Sequence, residues 1–387
     1  MVNYFLLLIM LSLGLYAQSA EEQMAQIDAK FAAMKKAEDK RFKSYKENLD
    51  NAFKSYKKEL NRYWKNPELS TKKEWVSYSK DKKSRSKVDF EKNRLVVEVI
   101  AKNKKEAALR LQKRVAYAIS KDTQEVTKSD PLQKKIALIS HESERVDANV
   151  DAKPILAPFI FKKKPTDTEL KNYAKKIVKE SKVVEKKSKI ANEKLYKVTI
   201  NLPKNAKIKR SLLYKDDVFS NANRFNLPPE LLFAIMHTES DFNPFAKSHI
   251  PAFGLMQIVP RSAGRDTYRY LYKRDGMPTA TYLYNSKNNI EMGSTYLYIL
   301  YYRYLRKIKN PQSRLYCTIA AYNTGAGNIA WAFTHQTNMN RAAARINALS
   351  PKEVYEKLLR DLKYDEPKHY LKRVSKRMEN YKRAYNL

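Results

Sequence analysis

The sequence predicts an α+β protein that is mainly helical, in which a helical segment and a small mixed accessory domain precede a larger helical domain. Apolar residues recur at steps of three or four over most of the chain, whereas apolar–polar alternation is confined to its middle. Six of the seven glycines follow residue 250. With 387 residues and 43% hydrophobic content, the chain can form two or three domains with real cores.

The charge balance predicts a polyanionic partner. Lysine and arginine number 77 against 41 acidic residues, a formal net charge of +36. Nucleic acid, an anionic membrane and an acidic cell-wall polymer all fit such a surface. Cys317 is the only cysteine, which excludes an intramolecular disulfide and a cysteine-rich metal cluster. The five histidines form no ligand-like pair, so we expect neither a metal nor a cofactor.

The first 19 residues are predicted to be a signal peptide. Residues 4–17 form an uncharged apolar run that is too short for a comfortable transmembrane helix, and small residues precede a cleavage site after Ser19. An exported protein follows from this interpretation. An uncleaved N-terminal anchor is the alternative, and no nearby cysteine offers a site for a lipid anchor.

Residues 20–66 are predicted to form an amphipathic helical segment. Its aromatic and leucine side chains keep steps of three or four from Phe42 to Tyr63. Basic residues interleave with these aromatics, but such a stripe is more typical of helix packing than of nucleic-acid binding. Asn66-Pro67 then ends the helix.

Residues 67–210 are predicted to form the α+β accessory domain. Apolar residues alternate on either side of residues 91–93, which predicts a hairpin. Over residues 104–120 they recur at helical spacing, which predicts a helix. Extended segments are expected at Ile155–Phe161 and Leu195–Leu202, separated by a lysine-rich helix over Thr168–Lys194. We find no catalytic constellation in this region.

Residues 211–387 are predicted to form the larger helical domain. After Pro228-Pro229, which suits a first helical turn, apolar residues recur at helical spacing until the helix ends near Asn243-Pro244. The other helices predicted by this spacing are Tyr296–Lys307, Pro311–Tyr322, Pro351–Asp361 and Lys368–Tyr385.

Glu239 is the candidate for chemistry in this domain. It lies four residues after Ile235 and eight after Leu231, so its carboxyl shares the apolar face of the helix. Loss of hydration there raises a carboxyl pKa and favours a general acid. A structural ion pair with a nearby lysine or arginine fits the spacing equally well.

Four motifs occur together in this half of the chain. They are Glu239-Ser240, Gly254-Leu255-Met256-Gln257, the run AYNTGAG over residues 321–327, and Glu366 with Tyr370. In this order they resemble the lysozyme-like lytic transglycosylase domain of bacterial murein transglycosylases, over about residues 211–387. Residues 72–100 also resemble the amino-terminal domain of a membrane-bound branch of that family.

The resemblance implies a lysozyme-like fold and a single catalytic acid/base, Glu239. Ser248 would then contact the sugar near the cleaved bond, and Gln257 would hold the glycan. The reaction implied is non-hydrolytic cleavage of the bond between N-acetylmuramic acid and N-acetylglucosamine, which leaves 1,6-anhydromuramyl ends.

Further site residues follow from the same resemblance. Tyr322 would line the cleft beside the catalytic carboxyl, Asn323 would shape that loop, and Glu366 would match an acidic residue of the substrate groove. The residues expected to support the cleft are Gly254, Met256, Gly325, Gly327 and Tyr370.

The residues agree with a mechanism that uses one carboxylate. Ordinary glycosidases use two carboxylates, but between Asp241 and Asp266 the sequence contains no acidic residue. The obvious second carboxylate of this loop region is therefore missing, although one from a distant part of the chain could still fold into the site. A goose-type muramidase that hydrolyses the same bond is the alternative among enzymes, and a non-catalytic peptidoglycan-binding protein is the alternative outside them. We expect peptidoglycan glycan strands as the partner, not nucleic acid, and a periplasmic location. Peripheral association with the outer membrane or with a cell-wall complex remains open.

Overall fold

The structure is a computed structural model that describes residues 2–387 except residues 144, 204, 249 and 250. For some N-terminal residues only the backbone is described, namely residues 2–21, 27, 28, 30–32, 34 and 35. By backbone contacts the chain divides into two compact units, Met1–Asn51 and Ala52–Leu387. The predicted signal peptide therefore lies outside the residues with described side chains.

A long helix, α1 (Val2–Leu60), opens the chain and confirms the helical prediction for the N-terminal segment. It ends before Asn66-Pro67, as that dipeptide predicts. Among the described residues, no helix combines the length and the apolar character needed to cross a membrane.

An antiparallel five-stranded sheet forms the centre of the accessory region. Its strands are β1 (Glu74–Tyr78), β2 (Ser84–Asp89), β3 (Arg94–Ala101), β4 (Val184–Lys187) and β5 (Lys194–Asn201). The order across the sheet is β1-β2-β3-β5-β4. Val88 pairs with Leu95 across β2 and β3, which confirms the predicted hairpin.

Five helices accompany the sheet. They are α2 (Lys104–Ser120), α3 (Thr123–Ser129), α4 (Pro131–His141), α5 (Ala157–Ile160) and α6 (Asp167–Glu180). Helix α2 has the predicted limits because the Asn103 side chain caps its N-terminus by accepting a hydrogen bond from the Glu106 N–H. It packs on β3 and on α6.

Two predictions for this region are wrong. The segment Ile155–Phe161 is not extended, because Pro158 lies in the first turn of α5 and Phe159 is buried in that conformation. The lysine-rich helix stops at Glu180, and β4 then pairs with β5 as an edge strand. Val183 and Val184, which are β-branched, favour that extended segment.

The C-terminal part is mainly helical. Its helices are α7 (Ala206–Leu212), α8 (Lys215–Phe225), α9 (Pro229–Ser240), α10 (Arg265–Tyr272), α11 (Ala280–Tyr284), α12 (Ser286–Ile299), α13 (Pro311–Thr324), α14 (Ala326–Thr334), α15 (Met339–Asn347), α16 (Pro351–Asp361) and α17 (Asp365–Tyr385). Two π-helical turns lie at Pro260–Gly264 and Leu300–Tyr304. The helix predicted over Tyr296–Lys307 therefore begins earlier, at Ser286, and ends in the second of these turns.

Helix α9 occupies the core of this part. Leu231, Leu232 and Ile235 are fully buried, and the helix packs against α8 and α17. Phe233 stacks on Tyr385 of α17, with ring centroids 4.7 Å apart. Burial on nearly every side fixes the position of the last turn of α9. The mainly helical α+β class predicted from the sequence is confirmed.

Candidate active site

Glu239 lies in the last turn of α9, and only 7% of the residue is exposed. The helix ends directly after it because Asp241 and Phe242 adopt left-handed backbone conformations, with φ of 51° and 63°. The catalytic candidate is thus held between a buried helix and a sharp turn.

Several groups set the protonation state of this carboxyl. Burial raises the pKa of Glu239 above its usual value, and the charge of Lys72 is the largest opposing effect. The Tyr370 hydroxyl and the charge of Lys73 oppose the shift less strongly, whereas the charge of Glu366 adds to it. Because burial prevails, the carboxyl keeps its proton to a higher pH than an exposed glutamate does.

Ser240 joins the end of α9 to the turn formed by residues 254–257. Its buried hydroxyl lies 2.8 Å from the Leu255 carbonyl and 3.0 Å from the Met236 carbonyl. The Tyr322 hydroxyl donates to the next carbonyl of that turn, on Met256, over 2.8 Å. Three of the four predicted motifs are therefore connected through one turn.

Asn289 holds the same turn from α12, and sequence reasoning missed it. Its side-chain oxygen accepts from the Met256 N–H (2.8 Å), and its amide nitrogen donates to the carbonyls of Phe253 and Leu283. A single asparagine within a helix carries no sequence signal for this role.

Gln257 and Ser248 both hold the loop between them. The Gln257 amide donates to the carbonyls of Ala246 and Gly254, while its side-chain oxygen is buried with no hydrogen-bond partner among the described residues. The Ser248 hydroxyl accepts from the Ala252 N–H over 3.3 Å. Their glycan contacts remain predictions.

The structure places the other predicted site residues around α13 and α17. Tyr370 is buried beside Glu239. Burial raises the pKa of Tyr370, and the charge of Glu239 raises it further. Glu366 is exposed in the first turn of α17 and lies 3.4 Å from Arg373. Asn323 is half-buried near the end of α13.

Asp241 is surrounded by basic side chains, in an arrangement that we call the Asp241 cluster. Its carboxylate lies 2.8 Å from the Lys73 ammonium, 3.1 Å from His237 Nε2 and 3.8 Å from the Lys207 ammonium. Burial alone raises the pKa of Asp241, but His237 and Lys73 outweigh it and hold the pKa well below its usual range. This carboxylate is therefore buried and ion-paired, whereas Glu239 tends to keep its proton.

The described residues contain no group of three or more His, Cys, Asp and Glu side chains that could hold a metal ion.

Gly254 and Gly327 differ sharply in what they permit, although both belong to predicted motifs. At Gly254, φ is +76° and an added Cβ would lie 2.3 Å from the Leu283 carbonyl oxygen. At Gly327, the nearest atom to an added Cβ is 3.7 Å away, on Thr337. Of these two positions, only residue 254 has a backbone conformation and surroundings that require glycine.

Gly254→Ala is expected to lower the free energy of unfolding by more than about 2 kcal/mol, since a left-handed backbone alone costs 1–2 kcal/mol and the clash adds to it. Urea denaturation followed by circular dichroism measures the change.

Gly327→Ala is the matched control. Gly327 lies inside α14, where alanine is favoured over glycine by about 0.5–1 kcal/mol, so this variant should be as stable as the wild type or more so. Equal losses in the two variants would contradict the distinction between these glycines.

A buried glutamate at a helix end, held against a glycine turn in a mainly helical domain, defines the class of the catalytic part. Residues 217–344 match the family described as the transglycosylase SLT domain. The sequence is also similar to membrane-bound lytic murein transglycosylase C of Klebsiella pneumoniae, with 41% identity over 189 residues. That alignment covers 49% of this chain and 52% of the relative, so it spans about half the relative's length.

The protein of the same name from Cronobacter sakazakii aligns over a longer stretch. It is 33% identical over 312 residues, which cover 80% of this chain and 82% of the relative. The chain belongs to the lytic murein transglycosylase family, as its motifs predicted. Among solved structures, it is similar to the 70 kDa soluble lytic transglycosylase of Escherichia coli, with 24% identity, 44% of this chain and 24% of that chain covered, and a TM-score of 0.35.

Proposed function

We propose that this protein is a peptidoglycan lytic transglycosylase that cleaves the MurNAc-β-1,4-GlcNAc bond without water. The observation that carries this proposal is the state of the two neighbouring carboxyls. Burial favours a protonated Glu239, while Asp241 is ionised and paired with His237 and Lys73. With Asp241 paired and Glu366 proposed to hold the glycan, Glu239 is the one acid proposed for proton transfer, and the substrate supplies the nucleophile.

In the first step, protonated Glu239 donates its proton to the glycosidic oxygen. The bond from that oxygen to C1 of the muramyl residue breaks, and the N-acetyl group of the muramyl residue assists by stabilising the positive charge at C1. Glu239 is left as a carboxylate, and the N-acetylglucosamine side leaves as an alcohol.

In the second step, the 6-hydroxyl of the same muramyl residue attacks C1. Its proton returns to Glu239, which restores the acid, and the new C1–O6 bond closes the 1,6-anhydro ring. No water is consumed, so the product is lighter by one water than the product of hydrolysis. The glycan is proposed to be held during both steps by the residues that match the family's motifs, namely Ser248, Gln257, Tyr322, Asn323 and Glu366.

We also propose that the protein is exported and acts in the periplasm, as the apolar N-terminal run supports. The Klebsiella and Cronobacter relatives are named as membrane-bound, which fits a location in the cell envelope. Anchoring through residues 1–19 and release after Ser19 are the two alternatives for this segment.

Mass spectrometry of digested sacculi tests the reaction type. Products treated with borohydride should keep 1,6-anhydro ends that resist reduction, and the unreduced products should be one water lighter than those of a muramidase digest of the same sacculi. The muramidase digest serves as the hydrolytic control. Reducing ends alone would favour a goose-type muramidase, and sacculus binding without products would favour a non-catalytic binding protein.

A further inference from the structure

The accessory domain contacts the end of α9 and the turn after it through residues 71–73, just before β1. The amide nitrogen of the buried Asn243 side chain donates to the carbonyls of Thr71 and Lys72, each over 3.2 Å. The Lys73 ammonium donates to the carbonyls of His237 (3.1 Å) and Thr238 (2.7 Å) at the end of α9. The backbone at Lys72 is therefore fixed on both sides.

The Lys72 side chain points from this fixed backbone to the catalytic carboxyl. Its ammonium lies 3.6 Å from Oε2 of Glu239, and 46% of the side chain is exposed. Lys73, the next residue, is instead occupied by Asp241 at 2.8 Å. The two adjacent lysines thus have different partners, one in the domain contact and one in the site.

We propose that Lys72, supplied by the accessory domain, is a positioning residue of the active site whose ammonium stabilises the carboxylate form of Glu239 between proton donation and proton recovery. The inference rests on the proposed function for the identity of the reaction. It extends the site beyond the domain that carries the family's motifs.

The other groups that face Glu239 cannot replace this cation. Tyr322 from α13 and Tyr370 from α17 are neutral phenols whose pKa values are raised, mainly by burial. Glu366 from α17 is negative and disfavours a second carboxylate nearby. Lys73 contributes less than Lys72, which is the largest opposing effect on the Glu239 pKa.

The opposing effects of burial and of Lys72 on the Glu239 pKa suit a group that must first donate a proton and then take one back. Burial keeps the proton on Glu239 before the bond breaks, while a cation at 3.6 Å makes release of that proton less unfavourable. General acid–base catalysis is most efficient when the pKa lies near the working pH. Without Lys72, Glu239 would be a weaker acid.

Lys72→Met tests the proposal, because methionine keeps the length of the side chain and removes its charge. The pKa of Glu239 should rise by about 1 unit or more, since an opposite charge at this distance typically shifts a carboxyl by 1–3 units. Carbon-13 NMR of carboxyl-labelled glutamate follows this titration, and the signal that disappears in Glu239→Gln assigns it. The alkaline limb of kcat/KM for glycan cleavage should move upward by the same amount.

Two further variants control for folding and for overall charge. Lys72→Arg keeps a cation and should restore the wild-type titration and pH profile. Lys92→Met removes the same charge from an exposed site in the accessory domain and should change neither. Circular dichroism melting curves establish that all three variants are folded.

A Lys72→Met titration that superimposes on the wild-type curve would overturn the proposal, as would an equal shift in Lys92→Met. The NMR titration needs no turnover, so it separates this inference from the proposed reaction. If the wild type releases no anhydro products while the titration still shifts, the proposed reaction fails and the pairing of Lys72 with Glu239 stands.

Discussion

Glu239→Gln is expected to abolish glycan cleavage while leaving the binding of the protein to sacculi intact. Glutamine has the same shape as glutamate, but it can neither donate the proton that the leaving oxygen needs nor take one from the 6-hydroxyl. General acid–base groups contribute about 10²–10⁴-fold to a rate, and in the proposed mechanism one group serves both steps. Release of soluble muropeptides measures cleavage, and co-sedimentation with sacculi measures binding.

Glu230→Gln provides the matched control for this variant. Glu230 lies in the first turn of the same helix, so its substitution makes the same chemical change at the opposite end of α9. We expect wild-type cleavage from it. Unchanged cleavage in Glu239→Gln would refute the assignment of the catalytic acid, and an equal loss in Glu230→Gln would show that damage to α9 explains the result.

Asp241→Asn is expected to cause the largest loss of stability among the variants considered. It removes the carboxylate of the Asp241 cluster and leaves Lys73, His237 and Lys207 facing one another around an uncharged amide. Breaking a buried ion pair by removing one partner typically costs about 3–5 kcal/mol, because the remaining charge stays desolvated. Chemical denaturation at neutral pH measures the change in the free energy of unfolding.

The effect of Asp241→Asn should depend on pH. The folded pKa of Asp241 lies below its unfolded value, so the stabilisation is complete above about pH 4 and is lost as the pH falls toward the folded pKa. The wild type and the variant should therefore converge in stability under acid conditions. Glu356→Gln, which breaks an exposed pair with Lys352, should not be distinguishable from the wild type at any pH. A pH-independent loss in Asp241→Asn would contradict the electrostatic explanation.

Local patterns in the sequence predicted those elements whose ends and faces are set locally. The apolar residues of α2 recur at helical spacing, and the helix begins at its own cap, Asn103, so its limits follow from nearby residues. Strand β4 is different, because it exists through its pairing with β5 and its four residues are exposed. An element that depends on a partner strand leaves little signal in its own composition.

The same distinction separates the predicted and the missed parts of the site. Glu239 could be identified because its spacing from Ile235 and Leu231 places it on a buried face. Lys72 and Asn289 could not, since each acts through a contact with a residue far away in the sequence. The segment that contains Lys72 resembled the accessory domain of the family, yet nothing in that segment marks one of its many lysines as a neighbour of the Glu239 carboxyl.

The Asp241 cluster bears on how this family can be engineered. The SLT match spans residues 217–344, so it omits Lys73 and Lys207 before its start and the whole of α17 after its end. A recombinant fragment with those limits would lack the Lys73 and Lys207 counterions of Asp241. It would also lack Tyr385, whose ring stacks on Phe233. We therefore expect the smallest transferable unit of this protein to be larger than the 217–344 match, and chimaeras that exchange this region between relatives should carry the residue 71–73 segment and α17 with it.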